Sequence, residues 1–339
     1  MKNNASILIV DDEWIVCKTI ALELAKHGFS VTEAYSGDDA VKELQKNKFN
    51  VVITDLIMEG IDGLGMIEVA KKLSAQSSVI VITGYGKSSL ITEAAFLGAE
   101  SILIKPFDID ELFSKVESCL SMKNFMRYAT KNTGEKKVRT SILMAIDEEF
   151  QRHISYLDLN FINESQDVIY IIDADFVLKA YNKAWVDFAR SNNGDEVLVK
   201  YPIGSNILDA IEGPLKLYTV QAFEKALRGN KPFEHNYKCP SATNDRVFRQ
   251  SAYPLKEGEG LVVSNHLVLE GPLDVEPQEF NKRFIDDKGL IRQCSCCRRI
   301  KDPIHLAWLW VPSLVKDPFP ATSHGICPQC LNHYYPDIE

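Results

Sequence analysis

The 339-residue chain lacks any apolar run near the ~18 residues that a membrane-spanning helix requires. Its N-terminus, MKNNASILIVDDEW, turns acidic after a few apolar residues, unlike a signal peptide. The hydrophobic fraction of 45% and the charged fraction of 25% are typical of soluble globular proteins. The composition therefore predicts a cytoplasmic protein of two or three domains, with no membrane partner.

Arginine is absent from the first 122 residues, where 11 lysines face 18 aspartates and glutamates. This segment carries a charge of −7, out of a formal net charge of −9 for the whole chain. An acidic segment is a poor partner for the phosphate backbone of nucleic acid. We therefore expect this part of the chain to bind cations.

Short apolar runs alternate with segments of helical periodicity over the first 120 residues. Runs such as NVVIT and SVIVIT lack polar alternation, as expected for strands buried on both faces. Strands that alternate with helices form a parallel sheet covered on both sides. The prediction for residues 1–122 is an α/β domain with a doubly wound, five-stranded parallel sheet of the flavodoxin-like class. The predicted strands span residues 6–10, 29–34, 50–54, 78–83 and 100–104.

Polar side chains stand where four of these strands end. Asp11 and Asp12 follow the first strand, and the third, fourth and fifth strands lead to Asp55, Thr83 and Lys105. In an open parallel sheet, ligands bind beyond the carboxyl ends of the strands, along one edge. Neighbouring carboxylates repel one another, and a hard divalent cation with oxygen ligands, most simply Mg²⁺, relieves that repulsion. The sequence therefore predicts a magnesium site at this edge.

The first 122 residues resemble the receiver domain of two-component response regulators. The resemblance covers residues 5–122 and rests on motifs that occur in order, each at a strand end. These motifs are DDE (11–13), DLIMEGIDGL (55–64), VITGYG (81–86) and KPF (105–107). It implies that Asp55 attacks a phosphoryl group carried by a histidine kinase and forms an aspartyl phosphate.

The resemblance also implies roles for the other residues of this edge. The implied Mg²⁺ ligands are Asp11, Asp12, Asp55 and the backbone carbonyl of Ile57. Thr83 and Lys105 are expected to contact the phosphate and to move inward when it is added. Pro106 stands where the family has a cis peptide bond. Two positions depart from the family pattern: Glu59 replaces the usual proline, and Ile102 replaces an aromatic switch residue, so the conformational relay cannot use a tyrosine hydroxyl.

The segment 123–160 is predicted to be a linker followed by a signalling helix. Its first part, 123–140, is polar and basic, and apolar residues then recur in steps of three and four from Leu143 to Phe161. That spacing favours one helix across residues 141–161. The helix would pack on the next domain or form the seam of a parallel homodimer.

Residues 161–270 resemble a PAS domain of the α+β class. The resemblance rests on the hairpin DVIYIIDADFVLKAYN, a helix that begins near Asn182, the stretch PIGSNILDAI and a three-strand finish. It implies a module that binds a small ligand or relays a signal by dimerising, and no motif identifies the ligand. His235 and His266 are candidate haem ligands, although a lone histidine in a strand is more often an ordinary core or surface residue.

Five of the eight cysteines fall in a C-terminal region, 271–339, predicted to be a linker and a zinc-binding tail. Two CxxC pairs can place four thiolates around Zn²⁺. The predicted ligands are Cys294, Cys297, Cys327 and Cys330, with Cys296 and His324 as competitors. A redox-active dithiol pair and reduced structural cysteines are the alternatives.

No catalytic output motif accompanies these parts. His153 lacks the Glu-x-x-Pro context of a kinase dimerisation box, and the sequence has no glycine-rich ATP box, Walker sequence or convincing helix-turn-helix. We therefore predict a non-enzymatic bacterial response regulator that acts through the PAS-like module, the cysteine tail or a protein partner. The alternatives are a metal- or redox-responsive sensor that acts through the C-terminal cysteines, and a zinc-dependent nucleic-acid binder. Four basic residues near Cys294 and Cys297 form too weak a patch to favour the last.

Overall fold

A computed structural model describes residues 5–84, 88–131, 145–192, 194–273 and 275–336. The chain divides into two compact units, residues 1–128 and 129–339. None of the helices in these described ranges is both long and apolar enough to cross a membrane.

The first unit is a five-stranded parallel sheet in the order β2-β1-β3-β4-β5, with helices between the strands. Its strands are β1 (Ser6–Val10), β2 (Ser30–Ala34), β3 (Val51–Asp55), β4 (Ser78–Thr83) and β5 (Ser101–Ile104). Its helices are α1 (Trp14–Lys26), α2 (Gly37–Lys46), α3 (Gly63–Leu73), α4 (Ser88–Leu97) and α5 (Ile109–Lys131). This order is that of flavodoxin-like folds, and the predicted fold class of this part is confirmed.

Apolar burial fixes this sheet, and short polar caps start its helices. The central strands β1, β3 and β4 are almost wholly buried, as their unbroken apolar runs require. Ser36 caps α2 by accepting a hydrogen bond from the N–H of Asp39, and Asp62 caps α3 by accepting one from the N–H of Gly65. The strand ends are therefore held at defined positions along one edge.

The second unit contains a six-stranded antiparallel sheet in the order β6-β8-β7-β11-β10-β9. Its strands are β6 (Ala145–Ile146), β7 (Val168–Asp173), β8 (Leu178–Tyr181), β9 (Phe233–Lys238), β10 (Asn244–Pro254) and β11 (Gly260–Pro272). Its helices are α6 (Leu159–Glu164), α7 (Lys183–Ser191), α8 (Asp195–Lys200) and α9 (Pro214–Gly229). The antiparallel meander β9-β10-β11 is the predicted three-strand finish.

Asn182, at the end of the opening hairpin, joins several of these elements. Its side chain is fully buried and caps α7 by accepting a hydrogen bond from the N–H of Trp185. The same amide accepts from the N–H of Ile169, 3.0 Å away, and donates to the carbonyl oxygens of Ile162 and Asp167 at 3.0 and 2.8 Å. One satisfied polar side chain thereby fixes α6, β7 and α7 together.

The helix predicted across residues 141–161 is wrong for the part of it that the structure describes. Residues 145–146 form β6, residues 150–152 form a 3₁₀ turn, and α6 begins only at Leu159. Asp147 accepts hydrogen bonds from the N–H groups of Glu149 and Phe150, a local arrangement that competes with a helix. Residues 141–144 lie outside the described residues. The predicted linker also differs, since α5 continues to Lys131.

The C-terminal region forms a small four-stranded sheet in the order β14-β13-β12-β15. Its strands are β12 (Ile291–Cys294), β13 (Ile300–Lys301), β14 (Trp308–Leu309) and β15 (Thr322–Gly325), and its helices are α10 (Pro312–Lys316) and α11 (Pro328–Tyr334). Strands β12 and β15 are parallel, with Cys294 opposite Gly325. This pairing brings the two halves of the cysteine pattern together.

Candidate functional site

The carboxyl edge of the parallel sheet gathers acidic and basic side chains at the strand ends. Asp11 follows β1 and is only 3% exposed, and Asp55 is the last residue of β3 with a side chain that is 12% exposed. Lys105 follows β5, and its ammonium donates to both carboxylates. The structure thus brings together three of the residues that the sequence placed at this edge.

The ammonium group of Lys105 is shared between two acids. Its Nζ lies 2.6 Å from Oδ2 of Asp55 and 3.1 Å from Oδ2 of Asp11. Burial alone would lower the pKa of Lys105, but the contacts with Asp55 and Asp11 outweigh it and raise that pKa. Burial also raises the pKa of Asp11, and this effect exceeds the opposing hydrogen bonds from Glu13 and Lys105. The site therefore holds two acids with one compensating cation, which suits an additional cation.

Backbone N–H groups bind the second oxygen of each carboxylate, the one that does not contact Lys105. Oδ1 of Asp55 accepts from the N–H of Ile57 at 2.9 Å, and Oδ1 of Asp11 accepts from the N–H of Glu13 at 2.8 Å. Asp12 is exposed to solvent. In the described ranges, the three carboxylates do not form a set whose ligand atoms all lie within 4.8 Å of one another. Their chemistry fits a hard cation, and the present contacts place an ammonium between two of them.

The remaining predicted residues of this edge lie on β4 and β5. Thr83 ends β4 and is fully buried, and its carbonyl oxygen accepts a hydrogen bond from the N–H of Lys105 at 2.8 Å. The Lys105–Pro106 peptide bond is cis, as the resemblance implies. Ile102 is buried on β5 opposite Val81 of β4. The position that holds an aromatic switch residue in the family is therefore occupied here by a buried aliphatic side chain.

Gly63 is a positioning residue that the sequence reasoning did not single out. A Cβ atom at this position would lie 2.3 Å from the carbonyl oxygen of Asp55 and 2.5 Å from Cα of Leu56. The N–H of Gly63 donates to the carbonyl oxygen of Leu56 at 3.0 Å. Only glycine lets α3 start this close to β3, so the loop closes directly over the end of the strand. Its signal in the sequence was the second glycine of the DLIMEGIDGL motif.

The four predicted cysteine ligands converge in the second unit. Cys294, Cys297, Cys327 and Cys330 are all buried, and their Sγ atoms all lie within 4.8 Å of one another. The Sγ atoms of Cys297 and Cys327 are 3.7 Å apart. A tetrahedral site with Zn–S bonds of about 2.3 Å has S–S edges of about 3.8 Å, whereas a disulfide bond is about 2.05 Å long. The geometry fits one tetrahedral metal ion and does not fit a disulfide.

Hydrogen bonds favour charge on some of these thiols. The N–H of Cys327 donates to Sγ of Cys294, and the N–H of Cys330 donates to Sγ of Cys327, both at 3.4 Å. Hydrogen bonds from Cys296 and Cys297 strongly lower the pKa of Cys294. Cys294 acts to raise the pKa of Cys327, but contacts with Cys297 and Cys330 outweigh it and lower that pKa to about 7. Soft thiolates in this arrangement are ligands that Zn²⁺ prefers.

The competing ligands are placed differently. Cys296 is buried beside the cluster but does not belong to the set of four converging sulfur atoms. Nδ1 of His324 lies 2.6 Å from Oε2 of Glu212, so this ring nitrogen is engaged by a carboxylate. Of the two haem candidates, Nδ1 of His266 donates to Oδ1 of Asp167 at 2.7 Å, and His235 packs among aromatic rings of β9 and α9. Both therefore have the environment of ordinary histidines, one hydrogen-bonded to a carboxylate and one packed in an aromatic core.

Comparison with known proteins supports the assignment of the first unit. The family model for the response regulator receiver domain matches residues 7–117. The chain is 32% identical over 121 residues to sporulation initiation phosphotransferase F of Bacillus subtilis, covering 36% of this chain and 98% of that protein.

A further relative and a solved structure each match about a third of this chain. Transcriptional regulatory protein ZraR of Salmonella typhimurium is 31% identical over 121 residues, and the match covers 36% of this chain and 27% of that protein. The chain thus spans about a quarter of the length of this curated relative. The crystal structure of response regulator protein TrrA from Thermotoga maritima, in complex with Mg²⁺ and BeF, is 30% identical with a TM-score of 0.31 and covers 34% of this chain and 98% of that one. Through residues 7–117 the chain belongs to the response regulator receiver family.

Proposed function

We propose that this protein is a bacterial two-component response regulator that accepts a phosphoryl group on Asp55 from a histidine kinase. The observation that carries the proposal is the contact of Asp55 with Lys105, 2.6 Å away, at the carboxyl edge of a receiver sheet. A carboxylate at the end of a strand, beside a fixed ammonium and a second acid, is the arrangement that phosphoryl transfer to aspartate needs.

The proposed reaction uses the residues of this edge in separate roles. A carboxylate oxygen of Asp55 attacks phosphorus, and the bond from phosphorus to the nitrogen of the kinase phosphohistidine breaks. Lys105 is already in contact with Asp55, so its ammonium can form an ion pair with a phosphoryl oxygen once the phosphoryl group is bonded to Asp55. Thr83, at the end of the neighbouring strand, would contribute its hydroxyl to the same phosphoryl group.

The acidic groups of the edge are proposed to hold Mg²⁺. The ligands would be Asp11, Asp12, Asp55 and the backbone carbonyl of Ile57. When bound there, Mg²⁺ neutralises charge on the transferring phosphoryl oxygens. Lys105 would then exchange its contact with Asp11 for one with the phosphoryl group, because the cation takes over the compensation of that acid.

The second unit is proposed to contain the signal-receiving and output parts of the chain. The opening hairpin, the helix capped by Asn182 and the three-strand finish support the PAS-like interpretation of residues 161–270. The four converging cysteines support Zn²⁺ as the occupant of region 271–339. The proposed division is 1–122 for the receiver and 123–160 for the connection, followed by these two regions in one compact unit.

The experiment offers acetyl phosphate to the full chain with and without Mg²⁺ and measures the mass of the intact protein. We expect Mg²⁺-dependent addition of one phosphoryl group, lost in Asp55→Asn. The matched control is Asp110→Asn, an exposed carboxylate in the first turn of α5 that should leave labelling unchanged. Equal labelling of Asp55→Asn and the wild type would contradict the proposal.

A further inference from the structure

Helix α11 connects the cysteine cluster to the PAS-like sheet. Cys327 is the N-cap of this helix and Cys330 lies in its first turn, so two of the four sulfur atoms belong to its N-terminal end. The helix has only seven residues, Pro328–Tyr334. Isolated helices of this length are not stable in water. Its order must therefore come from the groups that hold its two ends.

The C-terminal end of α11 lies on β9 and α9. Nε2 of His333 donates to the carbonyl oxygen of Asn236 in β9 at 2.9 Å. The hydroxyl of Tyr335 donates to the carbonyl oxygen of Pro214, the first residue of α9, at 2.7 Å. The ring of Tyr334 packs edge-on against Tyr218 of α9, with 5.0 Å between the ring centroids. Three consecutive residues after the ligand pair thus contact the PAS-like sheet and its helix.

The segment before the ligand pair contacts the same end of α9. Nδ1 of His324, three residues before Cys327, lies 2.6 Å from Oε2 of Glu212. A Cβ atom at Gly213, which has φ of +65°, would lie 3.1 Å from Cβ of His324. Gly213 is the residue before α9, so the start of α9 is contacted from both sides of the Cys327–Cys330 pair.

The cysteine cluster and the contact surface share one apolar core. The buried members of that core are Cys294, Cys296, Cys297, Cys327, Cys330 and Tyr334, and the side chains packed against them are Leu215, Tyr218, Tyr237, Trp308, Ile326 and Tyr335. Without a metal, no bond joins Cys327 and Cys330 to Cys294 and Cys297, so the cluster can open. Opening would release the N-terminal end of α11.

We propose that Zn²⁺ at the four cysteines acts as a clamp that holds α11 on α9 and β9, so that metal occupancy sets the order of this end of the PAS-like module. This inference rests on the zinc part of the proposed function. The middle module would then respond to available zinc as well as to its connection with the receiver. By thermodynamic linkage, contacts that dock α11 raise the affinity of the cysteines for zinc by the same factor as zinc favours docking.

The test compares the full chain loaded with Zn²⁺ and the full chain treated with a chelator, using hydrogen–deuterium exchange. Zinc removal is expected to speed exchange about tenfold in peptides covering α9 and β9. Strand β3 of the receiver should be unaffected. Cys327→Ser should reproduce the effect of chelation, and Cys239→Ser, a cysteine outside the cluster, should not.

A second measurement tests linkage without touching a metal ligand. Tyr335→Phe removes one hydroxyl and its hydrogen bond to Pro214. Loss of about 1 kcal/mol should weaken zinc affinity about fivefold in a chelator competition. Tyr35→Phe, which removes an exposed hydroxyl in the receiver, is the matched control.

The outcomes separate the clamp from the proposals on which it rests. One zinc per chain, with exchange in α9 and β9 unchanged by chelation, would overturn the clamp and leave the zinc site standing. No bound zinc would overturn both. Phosphoryl labelling of Asp55 is read independently of either result. Faster exchange after chelation, together with weaker zinc binding by Tyr335→Phe, is the result that supports the clamp.

Discussion

Acidification should destabilise the second unit through one histidine of its six-stranded sheet. The ring of His235, on β9, lies 5.0 Å from that of Phe233 and 5.4 Å from that of Tyr218. Its Nδ1 is buried and has no hydrogen-bond partner within the described ranges. Burial, with a smaller contribution from the nearby His333, lowers the pKa of His235 to about 3. The folded protein therefore keeps this ring neutral at pH values where the unfolded chain protonates it.

The sign and size of the effect follow from proton linkage. An unfolded histidine has a pKa of about 6.5, so below that pH the unfolded chain binds a proton that the folded chain excludes. The contribution of neutral His235 to the free energy of unfolding is therefore complete above about pH 6.5 and is lost as the pH falls towards 3. At about pH 4.5 the unfolding free energy should be lower by about 3 kcal/mol than at about pH 7.5, since each pH unit in this window is worth about 1.4 kcal/mol.

The assay is urea unfolding of the full chain in excess zinc at both pH values, followed by tryptophan fluorescence. Three of the four tryptophans belong to the second unit, so the signal reports mainly on it. His235→Phe keeps an aromatic ring and removes the titrating group. Protonation of the cysteines and every other group is common to both proteins and cancels in their difference. The reasoning is refuted if wild type and His235→Phe lose equal stability between the two pH values.

Two further predictions concern the receiver site. Lys105→Met removes the ammonium shared by Asp11 and Asp55, so the pKa of Asp11 should rise further and phosphoryl labelling by acetyl phosphate should slow at least about tenfold. Carboxyl titration by NMR and the rate of labelling measure these two effects. An Asp11 pKa that is the same in the variant and the wild type would contradict the prediction. Gly63→Ala places a Cβ atom 2.3 Å from backbone, so receiver stability should fall by about 1–3 kcal/mol in chemical denaturation, whereas Gly84→Ala, which meets nothing within 4 Å, serves as the control. Equal stabilities of the two glycine variants would show that the loop after Asp55 can relax.

The edge of the receiver sheet could be predicted because its geometry follows from local patterns. Each buried strand ends at a polar residue, and parallel pairing places all carboxyl ends on one side. That is why Asp11, Asp55 and Lys105 could be placed together from sequence. The contact of Gly63 with Asp55 could not be placed, because it depends on how closely α3 approaches β3 in three dimensions.

The helix predicted over 141–161 failed because apolar periodicity is not unique to helices. Phe150, Ile154 and Leu157 are spaced by four and three residues, and all three are buried, but in a 3₁₀ turn and the irregular turn that follows it. Apolar periodicity indicates which residues face a core, but it does not by itself determine the backbone conformation that places them there. Asp147, whose side chain binds the backbone two and three residues ahead, was the local signal against a regular helix.

The CxxC spacing predicted the four cysteine ligands but left Cys296 as a competitor. CSCC offers Cys294, Cys296 and Cys297 within four residues, and spacing alone permits more than one pair. The register that sets Cys294 opposite Gly325 makes the choice, because it brings the turn after β12 beside the start of α11. That register joins strands about thirty residues apart, and no local pattern encodes it.

A division of the second unit at residue 270 separates side chains that share a core. Tyr218 and Tyr237 belong to the predicted PAS-like region, yet both pack against the cysteine cluster. Without the tail, these rings and Leu215 would lose their cover and expose a contiguous apolar surface, which soluble proteins rarely tolerate. Strand β11 also runs past the proposed boundary to Pro272. The tail is therefore better understood as a layer that closes one side of the six-stranded sheet, and the proposed zinc clamp would act through this shared core.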